Sequence, residues 1–195
     1  MIDRARAARA VDEFLRALGL SPERDPELKR TAELVSTAYA DELLIGYAMD
    51  PAAILSECLE SSGSEVVALR DIETSILCPH HLMPASGVVH VAYAPGGRIV
   101  GFGAIARLVT CFARRLILQE TLVQSIADAL VEHLGARGAG CAADLAPTCL
   151  STRGERCHAA RAVVSATAGE MRAGAALHAD FAALIGAQRS AATSR

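Results

Sequence analysis

The stretch Gly87-Val88-Val89-His90-Val91-Ala92-Tyr93-Ala94-Pro95-Gly96-Gly97-Arg98-Ile99-Val100-Gly101-Phe102 decides the fold. Apolar and β-branched residues over 87–93 predict a strand, Pro95-Gly96-Gly97 is a turn signal, and 98–102 predicts a returning strand, so the segment reads as a hairpin. Upstream, residues 64–76 predict another strand, through Glu65-Val66-Val67-Ala68-Leu69 and Thr74-Ser75-Ile76-Leu77. Downstream, 104–116 and 121–134 carry helical spacing, 138–152 and 159–167 predict a closing pair of strands, and 173–185 a last helix. The tail over 190–195 is expected to fray.

Before this segment the chain reads as helical. Val11, Phe14, Leu15 and Leu18 fall at helical spacing over 5–18, and Gly19 stops the run. Asp25-Pro26 predicts the cap and first turn of a second helix reaching Gly46-Tyr47, and Asp50-Pro51 opens a short third one. The organisation expected is a helical region over 1–60 and one catalytic unit over 61–195. Helices, an antiparallel pair, two helices, a second pair and a helix make an α+β chain, without the strand–helix alternation of a parallel sheet.

A length of 195 residues suits one domain with a real core. Hydrophobic residues make up 52% of the chain but aromatics only 4%, so Ala, Val and Leu must supply that core. A net charge of −3 offers no basic footprint for nucleic acid. The N-terminus runs into a charged helical pattern, and no run approaches the roughly 18 apolar residues of a membrane span, so a cytoplasmic location is expected. Six cysteines in such a chain read as reduced thiols, some of them metal ligands, with Cys58, Cys111 and Cys141 expected as small buried hydrophobes.

Chemistry concentrates in Cys78-Pro79-His80-His81 and the distant Pro147-Thr148-Cys149-Leu150. Two thiolates and one imidazole make a three-ligand set for Zn2+ that leaves a fourth position open for water, the arrangement of a hydrolytic site. The second histidine is then a proton carrier beside the metal. His90, on an alternating strand, reads as structural.

The order Cys78-x-His80-His81, His90-Val91-Ala92-Tyr93-x-Pro95, Ile105-Ala106-Arg107-Leu108-Val109, Phe112-Ala113-Arg114-Arg115-Leu116, Gln119-Glu120, and Cys149 followed by Arg153-Gly154 resembles the successive signatures of the GTP cyclohydrolase I family, from about Asp25 to Gly154. The resemblance implies a tunnelling fold, with N-terminal helices and two helices packed on an antiparallel sheet. It implies a zinc enzyme that opens the imidazole ring of a guanine nucleotide at C8 and rearranges the ribose to a pterin. Cys78, His81 and Cys149 would hold zinc, and His80 would be the acid/base residue. Gln119 and Glu120 would be substrate-binding, with Glu120 on the guanine edge, since a carboxylate accepts from both N1–H and the exocyclic amine. Arg107 and Arg153 match positions that contact phosphate, while Arg114 and Arg115 read as a solvated face or subunit contact. A homo-oligomer, a homodecamer in the family, is implied as well, and sheet edges left open in one chain agree with oligomerisation.

The departures from that pattern fall into two groups. Pro79 replaces the usual Glu, and Pro147 stands where the family carries a histidine two residues before the second zinc cysteine. Gly103-Ala104 replaces Ser-Lys, and Leu34 and Thr37 replace an Arg and a Lys. Each lost charge-assisted phosphate contact is worth roughly 1.5–3 kcal/mol. The zinc set, His80 and Glu120 survive while the triphosphate clamp is eroded. The expectation is therefore a specialised ring-opening hydrolase for a purine with few or no phosphates, ending at an opened pyrimidine. An ordinary family enzyme and an inactive purine-binding paralogue are the alternatives.

Overall fold

The computed structural model describes residues 2–172 and 176–186. They divide into two compact units, Met1–Met49 and Asp50–Arg195. In the first, α1 (Arg4–Ala17) is capped by Asp3, whose carboxylate accepts from Arg6 N at 2.9 Å. It ends where Gly19 turns left-handed (φ +82°) and Leu20 N reaches back to Leu15 O, the geometry a C-terminal glycine permits. The second helix, α2 (Thr31–Ala38), starts later than Asp25-Pro26 predicts. Asp25 instead caps an isolated turn, its carboxylate accepting from Glu27 N at 3.0 Å. After α2 the chain loosens into a π turn, Tyr39–Leu43, and a 3-10 turn, Ile45–Ala48.

The second unit opens with α3 (Pro51–Ser56), Asp50 as cap and Pro51 in the first turn. There follow β1 (Cys58–Glu60), β2 (Val67–Leu77), β3 (Pro84–Ala94), β4 (Arg98–Val100), α4 (Phe102–Ala113), α5 (Gln119–Ala129), β5 (Gly138–Pro147), the single turn α6 (Thr148–Ser151), β6 (Ala162–Gly169) and α7 (Ala176–Gly186). The start of the helix expected over 173–185, and the 190–195 tail, lie outside the described residues.

The hairpin expected between 87–93 and 98–102 does not form. β4 pairs with β1 in a two-stranded ribbon, and Phe102 already belongs to α4. Tyr93 holds the departing chain by its side chain, its hydroxyl accepting from Val100 N at 3.2 Å. β3 pairs instead with β2 and β5, and the two expected strand pairs merge into one antiparallel sheet ordered β2-β3-β5-β6.

Each face of the sheet has its own cover, as the period-2 alternation of strands requires. Ala92 and Ala94 of β3 and Ala142 of β5 pack with Met171 and Phe181, under α7. The alternate residues Val89, Val91 and Tyr93 are fully buried on the opposite face. There α4 and α5 contribute Ile105, Leu108, Leu122, Val123 and Ile126, all without solvent exposure. Small and branched aliphatics thus do form the core, as the scarcity of aromatics requires.

Candidate active site

Three segments meet at one end of the sheet. Leu77, the last residue of β2, pairs with Pro84, the first of β3, and the adjacent Ala85 pairs with Pro147 at the end of β5. The 78–83 connection and α6 therefore leave the sheet side by side, tied by Thr148 Oγ1 donating to Pro84 O at 2.6 Å. The start of α5 reaches the same end. Ile117 N donates to Leu77 O at 3.1 Å, and the Gln119 amide donates to Ala143 O (3.1 Å) and Ala162 O (2.7 Å).

The 78–83 loop is pinned at its base. Leu82 N donates to Cys78 O at 2.9 Å and Cys78 N to Met83 O at 3.0 Å, with Leu82 left-handed at φ +54°. Pro79 occupies the first position inside this turn, where its missing N–H leaves no bond unmade. His80 and His81 stand exposed at the tip, their rings edge to face with centroids 6.2 Å apart. Cys78 and Cys149 are half-buried at the base of the loop and in α6. Arg153 Nη1 lies 3.0 Å from His81 Nε2.

Burial sorts the remaining cysteines. Cys111 and Cys141 are buried, and burial pushes both thiols up, away from thiolate chemistry. Cys58 departs from the expected burial. It is half-buried on β1, with Arg98 3.9 Å from its sulfur. Cys157 is exposed, its backbone N–H bonded to Leu150 O.

The other candidates divide. Glu120 is exposed in the first turn of α5, at the same end as the Cys/His loop. Gln119 is 8% exposed and has both amide hydrogens committed to β5 and β6, so it fastens α5 to the sheet. Sequence alone could not reveal that role, since nothing in a Gln-Glu pair says which member turns inward. Arg107 points elsewhere in the single chain, paired with Glu57 at 2.5 Å. Arg115 folds back over Phe112 and Cys111 O, and Arg114 reaches Ser75 Oγ at 3.1 Å.

Among the described residues no three His, Cys, Asp or Glu side chains are gathered closely enough to hold a metal ion. The donor chemistry nevertheless suits zinc, with two half-accessible thiols and an imidazole at one sheet end. A cavity of about 850 Å³ lies at the other end, lined by Glu65, Val66, Arg70 and Leu184, and contains none of these donors.

An antiparallel four-stranded sheet backed by two helices, with Cys- and His-bearing turns at one end, places the chain in the tunnelling-fold class. The chain belongs to the GTP cyclohydrolase I family, whose model matches residues 7–186. It is 46% identical over 146 residues to GTP cyclohydrolase 1 of Campylobacter lari, covering 74% of this chain and 76% of that one. The counterpart in Thermobifida fusca is 39% identical over 173 residues (88% and 83% covered). That of Dehalococcoides mccartyi is 36% identical over 187 residues (95% and 98% covered). Among solved structures, an apo archaeosine synthase QueF-like protein superposes with TM-score 0.44 at 19% identity, over 56% of this chain and 97% of that one.

Proposed function

We propose that this chain is a zinc-dependent hydrolase that opens the imidazole ring of a guanine-type purine at C8. The observation that carries this reading is the convergence of the 78–83 loop, α6 and the start of α5 on one end of the sheet. Cys78, His81 and Cys149 would hold the metal, which when bound supplies an activated water for attack on a poor electrophile. His80 stands beside His81, and an imidazole, which can both accept and give up a proton, is suited to deliver one to a purine ring nitrogen. Glu120 would accept from the guanine N1–H and amine, and Gln119 is the positioning residue that fixes Glu120 by anchoring α5 to β5 and β6.

The finer reading concerns phosphate. Arg107 and Arg153 are the cations retained toward it, and in the single chain Arg107 already has a carboxylate partner, Glu57. Ala104, where the family has Lys, is buried at 4% exposure. These observations favour a substrate with few or no phosphates. Pro147, lacking the family's imidazole, favours release of an opened pyrimidine over a pterin. The second reading is the ordinary family reaction on GTP, favoured by 36–46% identity to proteins bearing that name.

β2 and β6 are edge strands with one neighbour each among the described residues. Together with a site open to one side, they support a homo-oligomer in which the neighbouring copy closes the site.

Zinc-loaded protein incubated separately with guanine, guanosine, GMP and GTP, with products followed by mass spectrometry, tests these readings. The expected result is addition of one water to guanosine or GMP faster than to GTP. Rapid conversion of GTP alone to a pterin triphosphate overturns the phosphate-poor reading and leaves ring opening intact. Stoichiometric zinc with no turnover of any purine overturns both.

A further inference from the structure

His81 and Arg153 are 72 residues apart in sequence, yet a guanidinium nitrogen rests 3.0 Å from the imidazole Nε2. Guanidinium only donates hydrogen bonds and keeps its proton at any working pH. His81 Nε2 therefore accepts, and the neutral ring carries its proton on Nδ1.

This contact is incompatible with metal ligation at either ring nitrogen. A metal on Nε2 needs the lone pair that Arg153 uses. A metal on Nδ1 displaces the proton to Nε2, which then points a donor at a donor. A neutral imidazole has one lone pair and one N–H, and both cases exhaust them. Both backbones are fixed where they carry these side chains. The His81 loop is closed by the two Cys78 bonds, and Thr152 is fastened to Thr148 O through its N–H (2.9 Å) and hydroxyl (2.7 Å). Exchange between the two states is then a movement of the exposed Arg153 side chain, with no refolding.

We infer that Arg153 is a built-in competitor for the metal: it holds His81 in the metal-free chain and must release it when zinc binds. The inference rests on the assignment of His81 as a zinc ligand. Arg153 is thus a positioning residue for a ligand, setting the threshold at which zinc loads.

The test is zinc affinity of the full-length, metal-free protein, measured by competition with a chromophoric chelator at fixed pH in reductant. Arg153→Met is expected to bind zinc roughly three- to tenfold more tightly than wild type, the worth of one exposed hydrogen bond. Arg153→Lys, which keeps a donor, should fall between. His81→Gln should weaken binding, and adding Arg153→Met to it should change nothing further. Nitrogen-15 NMR of the metal-free wild type should report the Nδ1–H tautomer at His81, lost in Arg153→Met. Unchanged or weaker affinity in Arg153→Met, with His81→Gln still impaired, overturns the inference alone. If His81→Gln binds zinc normally, the zinc assignment fails and takes the inference with it.

Discussion

The two ends of the four-stranded sheet are built to opposite specifications. At one end, Arg137 ties the strands together, with its N–H on Ala94 O, its guanidinium on Pro95 O and Glu170, and its carbonyl accepting from Glu170 N. A methyl group on Gly96 would come within 2.0 Å of Gly135 O, and one on Gly140 within 2.7 Å of the Phe181 ring, so both glycines serve close approach. At the other end the strands stop at Leu77, Pro84 and Pro147, and thiols and imidazoles are left half-buried or exposed on short turns. The first end invests its sequence in contacts. The second keeps its polar groups available and relies on a few backbone bonds to aim them.

This contrast can be broken from either side. The largest effect is expected from Cys149→Ala, which removes a proposed ligand from a half-buried turn. Ring-opening activity should fall by about 10³-fold or more, equivalent to about 4 kcal/mol of transition-state stabilisation. Bound zinc should drop below one per chain, and the denaturant midpoint of the metal-free protein should stay within about 0.5 kcal/mol of wild type. Retained zinc and activity would remove Cys149 from the site. Phe181→Ala attacks the contact-built end. Phe181 is 4% exposed against Ala92, Ala94 and Ala142, so truncation should cost about 3–5 kcal/mol in urea unfolding. Zinc affinity of the folded variant should not change. A loss of zinc at constant stability would show that the two ends are not separable.

At the reactive end, Cys78, His80, His81 and Cys149 were legible in sequence as chemistry-bearing residue types, and the structure sets the turns that carry them side by side. Helices α1, α4 and α5 were legible too, since their apolar residues repeat with the helical period. What sequence did not disclose depended on distant partners. Pro95-Gly96-Gly97 reads locally as a hairpin turn, but Gly96 is small because Gly135 O lies against it, and Arg98–Val100 pairs with three residues 38 to 42 positions earlier. Asp25-Pro26 carries a cap signal that a free-standing turn satisfies as well as a helix does. Gln119 acquires its role only once β5 and β6 are adjacent, and the partner of His81 only once α6 has folded beside the 78–83 loop.

His90 marks the boundary between the two ends and provides the smallest expected effect. It lies on the face that α7 covers at Ala92 and Ala94 but leaves open at Ser86. Opposite it, β2 makes a bulge in which Arg70 and Asp71 span the step from Leu69 to Ile72, with Asp71 left-handed at φ +58°. Asp71 N donates to His90 Nδ1 at 3.1 Å, so the ring is held neutral with its proton on Nε2. Burial lowers the pKa of His90 below the ordinary 6.5. The nearby Asp71 and Asp144 carboxylates pull it back up, and Arg70 pushes it further down. The unfolded chain therefore binds this proton first, and the stabilisation, complete above the ordinary value, is lost as pH falls through it toward the folded value. The slope for one such group cannot exceed about 1.4 kcal/mol per pH unit. His90→Asn keeps an acceptor for Asp71 N and removes the titration. Urea midpoints measured from pH 7.5 to pH 5 should show wild type losing stability relative to His90→Asn over that window. A constant difference between the two proteins would mean that the imidazole protonates without opening the bulge, and that the boundary between the packed end and the reactive end is set by α7 alone.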